Sequence, residues 1–483
     1  MLRLALALTA ASACHGDPQL SIRTVTMHAP PSCAPGGPAL DGGAYATYFA
    51  LGDFDPPSAP AIGHLVGAVG EGLPEIGIAT RELVVNATEG DREWLGVTSV
   101  PATGDVNGLL LPSLTSCALP EILGMRNAST LAPLPGQRAL VVGGSDADAG
   151  VLPSTYLARL DTGGVSKVTT ELRPARIHMS VTAFGGGALV AGGVDARPGN
   201  PVPDAPNYAE VYVPSLGGFD QRNDIRLSEP RARHGAVVLV TGETLLVGGT
   251  GGADGTAVLA SMEIVDPVTR SVREQNVARL AIARRDPTVL LLASGEVLVT
   301  GGFDGASIPV PTLEWFLPDV SATSKRARDL AVGAGPRVFV ALQAGGALAV
   351  IAPPAGASAG FRSVWVIGAD GSLDPGTPVD GLTQPILFGG AGGAPVLWTG
   401  DRWLRWQPWA GSFAALGALD EMPAHVSNAA ASPDPGLAMW LDESVSMLAN
   451  LRFDVRNEYS PLAGPLFLTN AIDTAPDRLS GSS

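Results

Sequence analysis

Aspartates recur in four short loops of this chain, each shortly after a Gly-Gly pair. The loops are Ser145-Asp146-Ala-Asp148-Ala-Gly150, Val194-Asp195, Ala253-Asp254-Gly255 and Phe303-Asp304-Gly305. Asp146-x-Asp148-x-Gly150 opens like a calcium loop, since hard cations take several carboxylate oxygens, but it lacks the later acidic ligand of such a loop. Short Asp/Gly strings also form turns. Two readings therefore stand: ordinary turn chemistry, or an acidic rim of Asp146, Asp148, Asp195, Asp254 and Asp304 that takes calcium or another ligand.

Histidines and tryptophans are the next residues able to do chemistry. His178 and His234 each stand fourteen residues before a Gly-Gly pair (178 to 192, 234 to 248). Recurrence at a structural position points to packing or a hydrogen bond between units rather than to a ligand role. Trp398, Trp403, Trp406 and Trp409 gather around Arg402 and Arg405. On one strand Trp403 and Trp406 point to opposite faces, so they cannot share a flat platform. Packing between sheets is one reading; recognition of a sugar or peptide by an exposed ring, with Trp403 as the candidate, is the other. No Ser-His-Asp set, zinc motif, P-loop or dinucleotide fingerprint occurs, and no catalytic residue or resident metal is assigned.

These residues must be positioned by short elements. The chain of 483 residues carries 61 glycines and 41 prolines, about a fifth of the total, with 46% hydrophobic and only 16% charged residues. Apolar content with many turn formers suits short strands joined by tight turns. The length calls for two domains or a repeat. A formal charge of -16 repels phosphate backbones and argues against nucleic acid as a partner.

A repeat with a period near fifty is visible. Strands end in Gly143-Gly144, Gly192-Gly193, Gly248-Gly249 and Gly301-Gly302, the first glycines lying 49, 56 and 53 residues apart. A preceding apolar run, such as Ala236–Val240 or Thr288–Leu292, supplies a hairpin partner. A second pair of strands follows, as in Glu263–Pro267 with Ser271–Glu274; Glu210–Pro214 and Glu314–Pro318 occupy matching places. Four short strands cannot bury both faces of a sheet, so neighbouring units must stack, and radial stacking gives a propeller.

These motifs resemble the kelch repeat, with its Arg/His lead-in, its strand ending in Gly-Gly and its later aromatic strand. The lead-in reads Arg176-Ile177-His178, Arg231-Ala-Arg-His234 and, degraded, Arg284-Arg285-Asp286. Beyond residue 332 the glycine pair is lost, but hairpins at Val338–Leu342 with Ala347–Ile351, Pro385–Phe388 with Val396–Trp398, and Val426–Asn428 with Leu437–Trp440 extend the pattern. The resemblance implies an all-β, kelch-type propeller over residues 122–465, of seven blades or six. Within this family the galactose-oxidase-like copper enzymes need a Tyr cross-linked to a Cys. Residues 122–465 hold no Cys, which removes that cofactor.

The N-terminus reads as an address. Met1-Leu2-Arg3, a short apolar run and Ala11-Ser12-Ala13-Cys14 resemble a bacterial lipoprotein signal over residues 1–14, which implies acylation of Cys14 and export to the cell envelope. An ordinary secretory signal is the alternative. With Cys14 modified, Cys33 and Cys117 remain as an even pair that an oxidising compartment would allow to form a disulfide. Residues 22–121 are expected to form a small β-rich domain, with strands at Tyr45–Phe49 and Arg81–Asn86. Residues 466–483 form a tail, in which Leu466–Leu468 could add a strand to the last blade. The functional expectation is a non-catalytic binding or scaffolding module at the envelope, holding a protein or glycan and touching the membrane only through its lipid. An envelope enzyme acting on carbohydrate or peptidoglycan and a purely structural surface protein are the alternatives.

Overall fold

The computed structural model describes strands within residues 25–118, residues 129–416 with gaps, and three strands within 428–449. Trp94 is the one side chain described before residue 129. Residues 1–14 with Cys14, Cys33, Asp148, Asp254, Leu466–Leu468 and the tail lie outside the described residues. The backbone of Asp146 and of Cys117 is described, but their side chains are not. The architecture is all-β, with one 3-10 turn at Pro214–Leu216 and no α-helix among the described residues. No described helix is long and apolar enough to cross a membrane.

The chain divides into two compact units. In the first, Val25–His28 pairs in parallel with Val106–Leu109. A five-stranded antiparallel sheet runs in the order Gly63–Ala68, Tyr45–Gly52, Thr80–Glu89, Arg92–Ser99, Leu111–Pro112. The two strands expected here from sequence are partners, with Tyr45 opposite Thr88 and Phe49 opposite Val84.

Among the described residues the second unit is a succession of seven larger antiparallel sheets, with two small ones beside them, Ser145–Asp146 with Gly150–Val151 and Arg231–Ala232 with Thr250–Gly251 and Ala257–Val258. Sheet 1 is Thr130–Leu134, Arg138–Val142, Thr155–Arg159 and Gly164–Lys167. Sheet 2 is Ser180–Phe184, Gly187–Ala191, Tyr208–Val213 and Gly218–Phe219, with Ile225–Arg226 also on its third strand. Sheet 3 is Gly235–Val238, Thr244–Val247, Met262–Asp266 and Ser271–Arg273. Sheet 4 is Thr288–Leu291, Val297–Thr300, Thr312–Phe316 and Arg326–Asp329. Sheet 5 is Arg337–Ala341, Ala347–Ile351, Val364–Ile367 and Leu373–Pro375. Sheet 6 is Ile386–Gly390, Gly393–Trp398, Trp403–Gln407 and Ser412–Ala415. Sheet 7 takes Asn428–Ala431, Leu437–Leu441 and Val445–Ala449 from the C-terminal side. Its fourth strand is Ser116–Ala118, with Cys117 opposite Met447.

That last strand departs from the sequence reading, which grouped residues 116–118 with the N-terminal region. Three residues of Ser-Cys-Ala carry no pattern of their own, and a partner more than three hundred residues away sets their register. The three hairpins expected beyond residue 332 are all present.

Burial explains why the sheets stack. The second strand is fully buried in Gly187–Ala191, Thr244–Val247 and Ala347–Ile351, so it reads as an unbroken apolar run instead of an alternating one. Alternate residues then serve different neighbours. In sheet 2, Ala188 and Val190 join Leu140 and Val142 of sheet 1, while Leu189 and Ala191 join Leu246 and Val265 of sheet 3. The same division continues from sheet 3 to sheet 4 and from sheet 4 to sheet 5. First strands of successive sheets lie side by side from sheet 1 to sheet 7, and the first strand of sheet 7 also lies beside that of sheet 1. These sheets are compatible with a β-propeller.

Candidate functional site

The lead-in loops of sheets 2, 3 and 4 are held from within by a repeated ion pair. Arg176, Arg231 and Arg284 are fully buried, as are Glu210, Glu263 and Glu314 in the third strands of the same sheets. Arg176 Nη1 lies 2.5 Å from Glu210 Oε2. Arg231 Nε donates to Glu263 Oε1 at 2.6 Å, and Arg284 Nη2 donates to Glu314 Oε1. Each glutamate also accepts a backbone N–H from the preceding loop: Arg173, Ser228 and Ala281 respectively. Arg231 and Arg284 further donate to the carbonyls of Gly248 and Gly301. Burial raises the pKa of the Glu210 carboxyl and lowers that of the Arg284 guanidinium, in each case against the pull of its partner's charge.

Sheet 2 varies the pattern. Tyr208 stands where Ser261 and Thr312 accept from the arginine in sheets 3 and 4. Its ring instead lies 5.4 Å from the Arg176 guanidinium, and Arg176 Nε and Nη2 make no hydrogen bond among the described residues. Burial pushes the Tyr208 hydroxyl up to about 12.

The glycine pairs serve the same loops. A Cβ on Gly192 would stand 2.1 Å from the Arg231 carbonyl oxygen, and one on Gly248 would stand 2.5 Å from that of Arg284. Both glycines have positive φ, at 58° and 61°. Gly143, Gly192 and Gly248, the first glycines of three pairs, thus admit the arginine loop of the next sheet.

Two residues beyond each buried arginine, the backbone is left-handed at a non-glycine residue: His178 at φ 58°, Arg233 at 53° and Asp286 at 52°. Their backbones are chained across sheets, Arg233 N donating to His178 O at 2.9 Å and Asp286 N to Arg233 O at 2.7 Å. This sets a charged group at one end of sheets 2 to 4. Arg233 donates to Asp286 in bidentate fashion, Nε to Oδ1 at 2.9 Å and Nη2 to Oδ2 at 2.6 Å. Arg285 Nη1 reaches the same Oδ2 at 2.9 Å, and its Nη2 donates to Ser307 Oγ at 3.0 Å. The Arg285 guanidinium lies over the ring of Phe303 at 5.1 Å. Phe303 is 37% exposed and Ile308, on the same loop, 59%. His178 reaches solvent, yet partial burial and then the Arg233 charge hold its pKa below the ordinary value, with Asp286 opposing.

The predicted site residues are placed as follows. Asp304 caps its own turn, Oδ1 accepting from the N–H of Ala306 and of Ile308. Asp195 is buried. The backbone of Asp146 pairs with Gly150 in a two-residue strand. No group of three or more His, Cys, Asp or Glu among the described residues is arranged to hold a metal ion. Trp403 is a core residue, 3% exposed, with ring centroids 5.1 Å from Trp398 and 5.8 Å from Phe388. Trp406 packs against Phe413, and Trp409 is the exposed member of the group.

His178 and His234 are not equivalent. The position matching His178 in sheet 3 is Arg233, whereas His234 is buried and shares a 2.8 Å hydrogen bond, Nε2 to Ser180 Oγ, between sheets 2 and 3. Burial, aided by Arg231, lowers its pKa to about 3, so it is a neutral link. Sequence reasoning missed the cluster of Arg233, Arg285, Asp286 and Phe303, and it missed the Arg–Glu pairs. The recurrence of arginine in the lead-ins and of glutamate in the third strands was the available signal.

No family model matches this chain, and no curated protein matches it in sequence.

Proposed function

We propose that the chain is a non-catalytic binding module of the bacterial cell envelope, exported and lipid-anchored through Cys14. Its repeat region would be a kelch-like propeller of seven blades that presents one loop end to a protein or glycan. Seven successive sheets, adjacent first strands around the whole series and the return of Ser116–Ala118 to sheet 7 support the propeller reading.

The observation that carries the binding role is the solvent-reaching group of Arg233, Asp286 and Phe303 with the half-buried Arg285. Left-handed backbone at polar residues costs free energy, roughly 1–2 kcal/mol per residue, and such positions gather at ligand clamps. Here they present two arginines and an aromatic ring, residue types enriched where binding energy concentrates.

The test compares the full chain with an Arg233→Ala/Arg285→Ala/Phe303→Ala variant on arrays of envelope glycans and of peptides. The reading expects discrete binding by the parent that falls at least tenfold in the variant. Equal binding by both proteins, or none by the parent, overturns it.

A further inference from the structure

We propose that the cluster on sheets 3 and 4 takes a peptide segment in which a carboxylate stands beside a large apolar side chain. The inference rests on the binding-module reading and names the ligand class for the same site.

Two guanidinium groups here share a single carboxylate. Arg233 spends Nε and Nη2 on Asp286, and Arg285 spends Nη1 on Asp286 and Nη2 on Ser307. Arg233 Nη1 and Arg285 Nε make no hydrogen bond among the described residues. Guanidinium donors in a fixed fork match a carboxylate. A ligand carboxylate would turn two cations with one anion into a balanced set of two and two. Asp286 thus acts as a built-in partner that already aims both arginines.

The site is held still before any ligand arrives. Arg285 is fixed on three sides by Asp286, Ser307 and the Phe303 ring. Ser307 has a left-handed backbone at φ 61°, and Asp304 closes the turn beneath it through the N–H of Ala306 and Ile308. Ordering already present in the free protein lowers the entropy lost on binding.

The apolar half selects a peptide over a sugar acid. Phe303, under the Arg285 guanidinium, and Ile308, the residue after the Ser307 that Arg285 binds, are both exposed. A uronic acid would satisfy the guanidinium groups but leave Ile308 facing hydroxyls, whereas a Leu, Ile or Phe next to Asp or Glu covers it. The net charge of -16 disfavours long polyanions at this surface.

The experiment uses the full chain on an array of ten-residue peptides in which Asp or Glu flanks Leu, Ile or Phe. A matched array carries Asn or Gln at the acidic positions, and an array of uronic-acid oligosaccharides is run beside them. The acidic peptides are expected to bind at least tenfold better than the amide set and the oligosaccharides. Arg233→Ala and Arg285→Ala should each lose tenfold, and Ile308→Ser several-fold. Unchanged thermal unfolding of each variant shows that the fold is intact. Equal binding to acidic and amide peptides, or unaltered binding by the arginine variants, overturns the proposal. If the oligosaccharides or amide peptides bind instead, and Arg285→Ala abolishes that binding, this inference fails while the binding-module reading stands. If no array binds, both fail.

Discussion

Sheets 2 to 4 and sheets 5 and 6 share the same four-stranded antiparallel plan but fasten the loops between sheets by different chemistry. The first group uses a buried Arg–Glu pair under each lead-in loop. The second uses hydroxyls. Ser363, 1% exposed, accepts the N–H of Val379 at 2.8 Å and donates to its carbonyl at 3.2 Å. In sheet 6, Thr399 is fully buried; its hydroxyl donates to Asp401, while its carbonyl accepts from both the N–H and the hydroxyl of Thr383. Around these bonds, Val350, Ala352, Leu382, Leu397 and Leu404 pack an apolar seam. The repeat is therefore defined by strands buried on both faces, and the glycine pair belongs to the ionic fastening. Gly301 shows this well. It ends an ionic sheet but precedes one without a lead-in arginine, and among the described residues nothing stands nearer to its Cβ position than Phe339 at 3.9 Å.

The largest expected effect is on the ionic side. Removing one partner of a buried pair leaves a desolvated charge, which costs about 3–5 kcal/mol, whereas exchanging both for apolar residues can be neutral. Glu314→Ala and Arg284→Ala should each lower the urea midpoint strongly, and the double variant should lose less than their sum. Strict additivity would show that the two side chains do not act as a pair.

The glycines give the next contrast. Gly192→Ala adds left-handed strain and a clash with the Arg231 carbonyl, an expected loss of about 2–5 kcal/mol. Gly301→Ala, with φ 64° and no described atom nearer to its Cβ position than 3.9 Å, should lose about 1–2 kcal/mol. Equal losses would mean that the neighbouring arginine loop does not set the need for glycine.

On the hydroxyl side, Ser363→Ala strands buried backbone groups, with an expected loss of about 1–3 kcal/mol by urea unfolding. A loss matching Glu314→Ala would erase the distinction between the two fastenings.

How much of this was legible in the sequence follows from range. Ala139–Val142 and Leu245–Val247 read as strands because burial on both faces writes an apolar run into neighbouring residues. The hairpins beyond residue 332 were legible for the same reason without any glycine pair. Arg231 and Glu263 were each visible, but 32 positions separate 231 from 263, and only folding brings them together. The left-handed turns at His178, Arg233 and Asp286 were hidden because, although His and Asp are enriched at positive φ, most such residues lie elsewhere, and Arg carries no such signal. Aligning His178 with His234 followed residue identity, whereas the backbone aligns His178 with Arg233. The aspartates drew attention as a cation site, yet Asp304 uses its carboxylate on its own turn.

The link through His234 is neutral, and pH tests that. Its pKa falls from 6.5 to about 3 on folding, so below pH 6.5 the unfolded chain binds a proton that the folded chain refuses. The stability this histidine contributes is complete above pH 6.5 and is lost as pH falls toward 3, at up to about 1.4 kcal/mol per pH unit. His234→Gln keeps a donor for Ser180 but cannot titrate. Its urea midpoint should fall less between pH 6.5 and 4.5 than that of the parent; parallel profiles would show that His234 is protonated in the fold.

The smallest effect on stability is expected where the sharpest effect on binding is proposed. Arg231 and Arg233 lie two residues apart and both pair with a carboxylate, but the first pair is 1% exposed on each side and the second 39% and 33%. An exposed pair contributes about 0–1 kcal/mol, because water screens it and two side chains must be ordered to make it. Arg233→Ala should therefore shift the urea midpoint far less than Glu263→Ala does, and raising the salt concentration should reduce even that shift. A residue that adds little to folding yet is held in a left-handed turn, bidentate to its neighbour, is ordered for something other than the fold. A loss on Arg233→Ala as large as that from Glu263→Ala would instead make the exposed cluster part of the fastening, and its claim to be a binding site would lapse.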